Sequence, residues 1–278
     1  MQLWDVVGAL VSAALHAGWN AAIKAHPKPT EAMTAQMMVC ALLVLPGLFW
    51  TGLPSPSSWP WLAASTCINL VTVTALLRAY ALVGFGLVYP VVRALSVLLV
   101  VALATLLSGE TLSLYGFLGI GLIALSLFLL AQANASTTAV PRRALLWILL
   151  AGLSTAAYVL CDAQGVRHAG SPWAYGFVVS ITNAVAMSLA QSRIARPWRI
   201  LADHAIGVLP ISIAAILSYQ LILWVWSHAP VAPASALRDT SSAFALLIAV
   251  IWLHEPFTRL RLLAVLLSAA AVPLMRLA

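Results

Sequence analysis

Ten runs of apolar residues, each about as long as a bilayer crossing, follow one another along this chain and leave almost nothing for a water-soluble domain. They fall at about residues 3–23, 32–50, 60–81, 86–107, 113–131, 144–165, 173–191, 205–226, 232–252 and 258–276. A helix needs about 20 apolar residues to cross ~30 Å of hydrocarbon. With 63% hydrophobic and 8% charged residues, a chain of this size has too little polar surface to coat a globule in water. The prediction is an all-α membrane protein with ten transmembrane helices. The breaks carry turn chemistry, as in His26-Pro27-Lys28-Pro29, Gly84-Phe85-Gly86, Ser108-Gly109-Glu110, Ala229-Pro230 and His254-Glu255-Pro256. Most loops are only a few residues long, the exceptions lying around 132–143 and 192–204.

Other classes are disfavoured by what the breaks and spans contain. The first run has no basic n-region, and Trp19, Asn20 and Lys24 stand where a cleavage site would be expected, so it reads as a retained helix. Cys40, Cys67 and Cys161 all fall within spans without metal spacing, so no disulfide, metal or cofactor site is expected. The net charge of +7 comes from basic residues placed singly or in short groups at span ends, which is no nucleic-acid footprint. The expected partners are a lipid bilayer and a small-molecule substrate, with no nucleic acid and a monomer as the simplest state. The expected location is a bacterial cytoplasmic (inner) membrane, crossed many times. Lys24, Lys28, Arg142, Arg143, Arg193, Arg196, Arg199, Arg259 and Arg261 lie in odd-numbered loops, against Arg167 and Arg276 on the other side. By the positive-inside rule this places both termini outside.

The chain also repeats itself. A shift of 145 lays Arg93 on Arg238, Ser96 on Ser241 and Glu110 on Glu255, and a shift of 143 lays Ala13-Ala14 on Ala156-Ala157 and Lys24 on Arg167. Leucine and alanine matches carry little weight in this composition, but an Arg–Ser–Glu match at one constant shift does. Two halves follow, 1–138 and 139–278, each with five spans. An odd number of crossings turns the second half upside down, and such inverted repeats place a substrate site near the bilayer midplane in secondary transporters.

The first helix, Leu15-His-Ala-Gly-Trp-Asn-Ala-Ala-Ile-Lys24, resembles the opening helix of the EamA branch of the drug/metabolite transporter superfamily. The Gly-Glu and His-Glu pairs that end the fourth and ninth spans are similar to that family's half-repeat. The resemblance covers the whole chain. It implies export of small metabolites, often amino acids, through a central cavity lined mostly by helices 1, 3, 4, 6, 8 and 9. It also implies a cytoplasmic amino terminus, opposite to the charge count, so orientation stays open.

Polar residues inside spans are the candidates for function. Arg93 and Arg238 lie about seven residues into their helices, each sharing a face with hydroxyls: Ser96 for the first, Ser241 and Ser242 for the second. They are read either as two carboxylate stations, one near each mouth, or as partners of Asp162 or Asp239 in helix-pinning ion pairs. Those two acids are also candidates for proton coupling. His16, Trp19 and Asn20 form one stripe of the first helix and are expected to line the cavity. Tyr80, Tyr89, Tyr158, Gln220 and Trp224 are further lining candidates, with Tyr219 and Trp226 near the last two. Gly84, Gly86, Pro90, Pro230 and Pro233 are candidate hinges or gates, although the prolines also suit simple helix starts. Glu110 and Glu255 are expected to cap the fifth and tenth helices. The function expected is export of carboxylate-bearing metabolites by alternating access, with amino acids leading and aromatic or large neutral ones favoured. Exchange of organic phosphates or nucleotide sugars is the alternative, because arginine suits phosphate too. An integral-membrane enzyme is remote, since no nucleophile or acid pair gathers at one depth.

Overall fold

A computed structural model describes residues 1–83, 85–108, 112–133, 140–193, 195–253 and 258–277, and every regular element among them is a helix. Twelve α-helices account for the ten spans. They are α1 (Leu3–Ala25), α2 (Pro29–Val44), α3 (Leu48–Thr51), α4 (Trp59–Val83), α5 (Phe85–Ser108), α6 (Leu114–Ala133), α7 (Arg142–His168), α8 (Pro172–Gln191), α9 (Pro197–Trp226), α10 (Val231–Asp239), α11 (Ser241–Leu253) and α12 (Arg259–Leu277). Eight of the spans are helices long and apolar enough to cross a membrane. The fourth is α5, and the ninth is divided between α10 and α11.

Two spans are interrupted. In the second, Pro46 sits in a short 3-10 turn, Leu45–Gly47, between α2 and α3. Proline removes a backbone donor there, and the chain restarts one turn later. Gly47 lies so close to the Phe177 ring that a Cβ would stand 2.5 Å from it, so a larger residue would push helix and ring apart. The second break is Thr240, between α10 and α11, where the hydroxyl turns back to the Leu237 carbonyl at 2.6 Å. Pro230 is the N-cap of α10 and Pro233 lies in its first turn, so both prolines start a helix. The discontinuity of the ninth span comes further on, immediately after Arg238 and Asp239.

The packing has the symmetry of the repeat. Helix α4 packs along α7, and the pair related to it by exchange of halves, α9 with α1, packs likewise. The pairs α2 with α9 and α8 with α4, α5 with α7 and α1 with α10 and α11, and α5 with α6 and α11 with α12 are mates in the same sense. Three pairs map onto themselves, α2 with α8, α5 with α10 and α6 with α12. The last is pinned by serines, Ser126 Oγ lying 2.8 Å from Ser268 Oγ and 2.7 Å from the Ala264 carbonyl. Five crossings per half make this an inverted 5+5 bundle.

Burial runs opposite to that of a water-soluble protein. Phe49, Trp50, Phe117, Leu146, Leu189 and Ile206 are exposed around the perimeter, while Arg93, Asp162, Arg238 and Asp239 are buried. Every residue of α10 is buried, so the first half of the ninth span runs through the middle of the bundle. Lipid supplies the solvent for the outer faces, and the polar side chains turn to the one interior where they can meet partners.

Candidate functional site

The polar interior surrounds a cavity of about 180 Å³. Helix α1 contributes His16, Trp19 and Asn20, and the ends of α4 and α5 contribute Tyr80, Tyr89 and Arg93. Tyr158 comes from α7, Tyr219 from α9 and Arg238 from the end of α10. Tyr158, Tyr219 and Arg238 come from the middle or the even-loop side of their helices, whereas the other six lie toward helix ends at the odd-numbered loops. At the opposite end the bundle is filled by Trp226, Tyr175 and the buried first turns of α10.

His16 is the centre of the arrangement. Its Nε2 is held by Arg93 Nη2, and its Nδ1 lies 3.5 Å from Arg238 Nη2. A neutral imidazole has one accepting nitrogen and one N–H. It can therefore accept from only one guanidinium. The shorter contact assigns that role to Nε2 and Arg93, so in this tautomer Nδ1 carries the hydrogen and cannot accept from Arg238. Trp19 stands edge-on to the imidazole, with ring centres 5.0 Å apart. The Asn20 amide turns back to the His16 carbonyl at 2.8 Å, fixing the last turns of the stripe.

The two arginines differ in what balances them. Arg93 Nη1 makes a 3.1 Å ion pair with Asp239 Oδ1, joining α5 in one half to α10 in the other, and its guanidinium lies over the Tyr89 ring at 5.4 Å. Tyr89 Oη also meets Ser241 Oγ at 3.1 Å. Arg238 has no carboxylate in ion-pair range among the described residues. Its guanidinium carbon lies 5.7 Å from the Trp226 ring, and its Nε and Nη1 have no hydrogen-bond partner among the described residues, although the side chain is 5% exposed. A buried donor left unmade is costly, and more so when it is charged. Of the two sequence readings, stations at opposite mouths or ion pairs with Asp162 or Asp239, the second describes Arg93, and both guanidinium groups reach the same histidine. The long arginine side chains bring together helices whose Cα positions enter from opposite faces.

Asp162 sits behind the cavity wall and pairs with neither arginine directly. Its Oδ1 accepts from Ser65 Oγ and, at 3.2 Å, from Tyr175 Oη, while its Oδ2 accepts from Tyr219 Oη at 2.6 Å. Gly165 makes room for the middle contact, since a Cβ there would stand 2.3 Å from Tyr175 Oη.

Several of the predicted residues lie outside the cavity lining. Ser96, Ser241 and Ser242 are buried away from it, Ser241 against Tyr89, and the Ser242 hydroxyl has no partner among the described residues. Gln220 is pressed against Gly176, and Trp224 packs on Gly8 and His228 beside a peripheral groove. Pro90 lies inside α5, as does Gly86. Gly84, Glu110 and Glu255 fall outside the described residues. The lining also includes helices of the second and seventh spans, which the expected set of 1, 3, 4, 6, 8 and 9 omits. Met33, Gln36 and Met37 come from α2, and Ser180 and Asn183 from α8, with Asn69 and Thr72 adding to α4. The amides Asn69 and Asn183 lie mid-span and Gln36 lies in the early turns of the second span, where a polar side chain is itself a signal. Charges and aromatic rings outweighed them.

An inverted helical bundle around a buried polar cavity is the architecture of a membrane transporter. The sequence profile described as the EamA-like transporter family matches residues 3–132 and again 142–277. The chain belongs to that family and is a multi-pass membrane transporter. Among curated proteins none matches significantly. Of the solved chains, 29 match. One, described as the crystal structure of a protein, aligns over 98% of this chain and 95% of its own with a TM-score of 0.73 and 15% identity, a likeness of fold.

Proposed function

We propose that the protein exports small carboxylate-bearing metabolites, amino acids first among them, by alternating access of the central cavity from the bacterial cytoplasmic membrane. The observation that carries this reading is Arg238, a buried guanidinium in the cavity lining whose Nε and Nη1 lack partners among the described residues. A carboxylate offers two oxygens to a guanidinium fork, and His16 Nδ1–H stands alongside to donate a further bond. Arg93 is already balanced by Asp239, so the cluster calls for one negative charge. A phosphate ester carrying two charges suits it less well. Tyr80, Tyr89, Tyr158 and Trp19 give the rest of the chamber aromatic walls, which favour aromatic or large neutral side chains.

Two five-helix halves joined by the Arg93–Asp239 pair would rock about this point, with α4–α5 and α9 to α11 as the gating elements. The test is uptake of labelled tryptophan, phenylalanine, threonine and lysine into liposomes holding the purified protein, with phosphate esters as competitors. Saturable uptake of the large neutral members, lost in Arg238→Ala, is the expected result. Competition by phosphate esters but not by amino acids would overturn the reading in favour of organic phosphates.

A further inference from the structure

The polar groups of the cavity lining differ in electrical sign. On one side are Arg238 and the Nδ1–H of His16. On another is Tyr219, whose hydroxyl proton is committed to Asp162 at 2.6 Å. A phenol has one proton to donate, so once it is given to the carboxylate the oxygen can only accept from the cavity. The buried carboxylate behind it, with hydroxyls and no ion-paired cation among the described residues, makes that oxygen more electronegative. On the neighbouring α8, the Asn183 amide oxygen is buried without a partner among the described residues and adds a second acceptor to the lining.

We infer that Tyr219, held and polarised by Asp162, is the ammonium-recognising group of the cavity, so that the site reads the dipole of a zwitterionic α-amino acid: carboxylate at Arg238, ammonium at Tyr219. This rests on the carboxylate reading above and deepens it. Tyr219 would touch the substrate, whereas Asp162 is a positioning residue that acts through it. The arrangement explains why an acid is buried one layer behind the wall. Placed in the cavity itself, it would neutralise Arg238 and abolish the site for the carboxylate. One layer back, it leaves the guanidinium open and still orders the phenol. A monocarboxylate without an amino group satisfies Arg238 alone, and an amine without a carboxylate satisfies Tyr219 alone.

The test is equilibrium binding of L-phenylalanine, 3-phenylpropionate and phenethylamine to the purified, detergent-solubilised protein. In the parent, phenylalanine binds about tenfold or more tighter than 3-phenylpropionate, in keeping with a hydrogen bond to a charged group. Tyr219→Phe keeps the ring and removes the acceptor. It should bring the two ligands to within about threefold of each other while leaving the affinity for 3-phenylpropionate as it was. Asp162→Asn keeps an acceptor for Tyr219 but not the charge, and should erode the discrimination in the same direction. Equal binding of the two ligands by the parent, or full discrimination in Tyr219→Phe, would overturn the inference while leaving the carboxylate reading standing. Binding of neither carboxylate, with phenethylamine bound or not, would overturn both.

Discussion

The residue that decides the chemistry here is His16, because one imidazole cannot satisfy two guanidinium groups. Its geometry separates two arginines that the repeat makes equivalent: Arg93 gains the nearer nitrogen and an ion pair, and Arg238 has a 3.5 Å contact to Nδ1 and no ion pair among the described residues. Position 239 enforces the difference, since the residue 145 places earlier is Ala94, which offers no carboxylate. The Arg93–Asp239 pair is buried, with side chains 7% and 5% exposed. Removing one member of such a pair strands the other's charge at a cost of ~3–5 kcal/mol, while removing both together costs much less. Arg93→Ala and Asp239→Ala should therefore each lower the melting temperature of the detergent-solubilised protein, and the double variant should recover a large part of the loss. Additive losses in the double variant would mean that the pair is not what holds α5 to α10.

At the scale of elements, hydrophobic length and the internal match made the ten spans and their inversion legible, because a bilayer fixes how long a helix must be and an odd count fixes its direction. The break at Thr240 was not legible. Thr240 is an ordinary residue for a helix, and the nearby prolines drew attention to the start of α10, where they merely begin it. The candidate site was legible in part for a related reason. Spacing shows that His16, Trp19 and Asn20 share a face, but not that Arg93 and Arg238 converge on that face, which depends on how helices from two halves cross. Nor does spacing show that Gln220 points at Gly176 instead of the cavity. Small residues set those crossings. Gly165 lets α8 approach α7 closely enough for Tyr175 to reach Asp162, and its added Cβ would fall within 2.5 Å of the Tyr175 ring. A rigid ring held in a packed interface has little room to retreat, so Gly165→Ala should destabilise the protein by ~1–3 kcal/mol. The melting temperature should fall, and ligand affinity at Arg238 should change much less. A Gly165→Ala protein as stable as the parent would show that α7 and α8 can separate freely.

For the molecule as a whole, the position of the cavity joins two observations that are independent of one another. While α7, α9 and α10 add Tyr158, Tyr219 and Arg238 from mid-helix or the even-loop side, much of its lining comes from the later halves of α1, α4 and α8 and the early turns of α2 and α5, which meet at the odd-numbered loops. At the other end, every residue of α10 is buried and Trp226 and Tyr175 are sealed in. The conformation is therefore closed at the even-numbered loops, and its cavity lies toward the odd ones. Those are also the loops with nine of the eleven basic residues found at span ends, the signature of a cytoplasmic face. If that charge rule sets the topology, the cavity faces the cytoplasm and both termini lie on the far side, the reverse of what the family resemblance implies. Thiol labelling tests this. Cys40, Cys67 and Cys161 are free thiols and are replaced first. In that background, Asn20→Cys and Met33→Cys should react with a membrane-impermeant reagent in inside-out vesicles and stay unlabelled in intact cells, while Ser235→Cys, buried in α10, should resist from both sides. Labelling of Asn20→Cys in intact cells would place the odd loops outside. The arginines of those loops would then need a reason other than topology for their number.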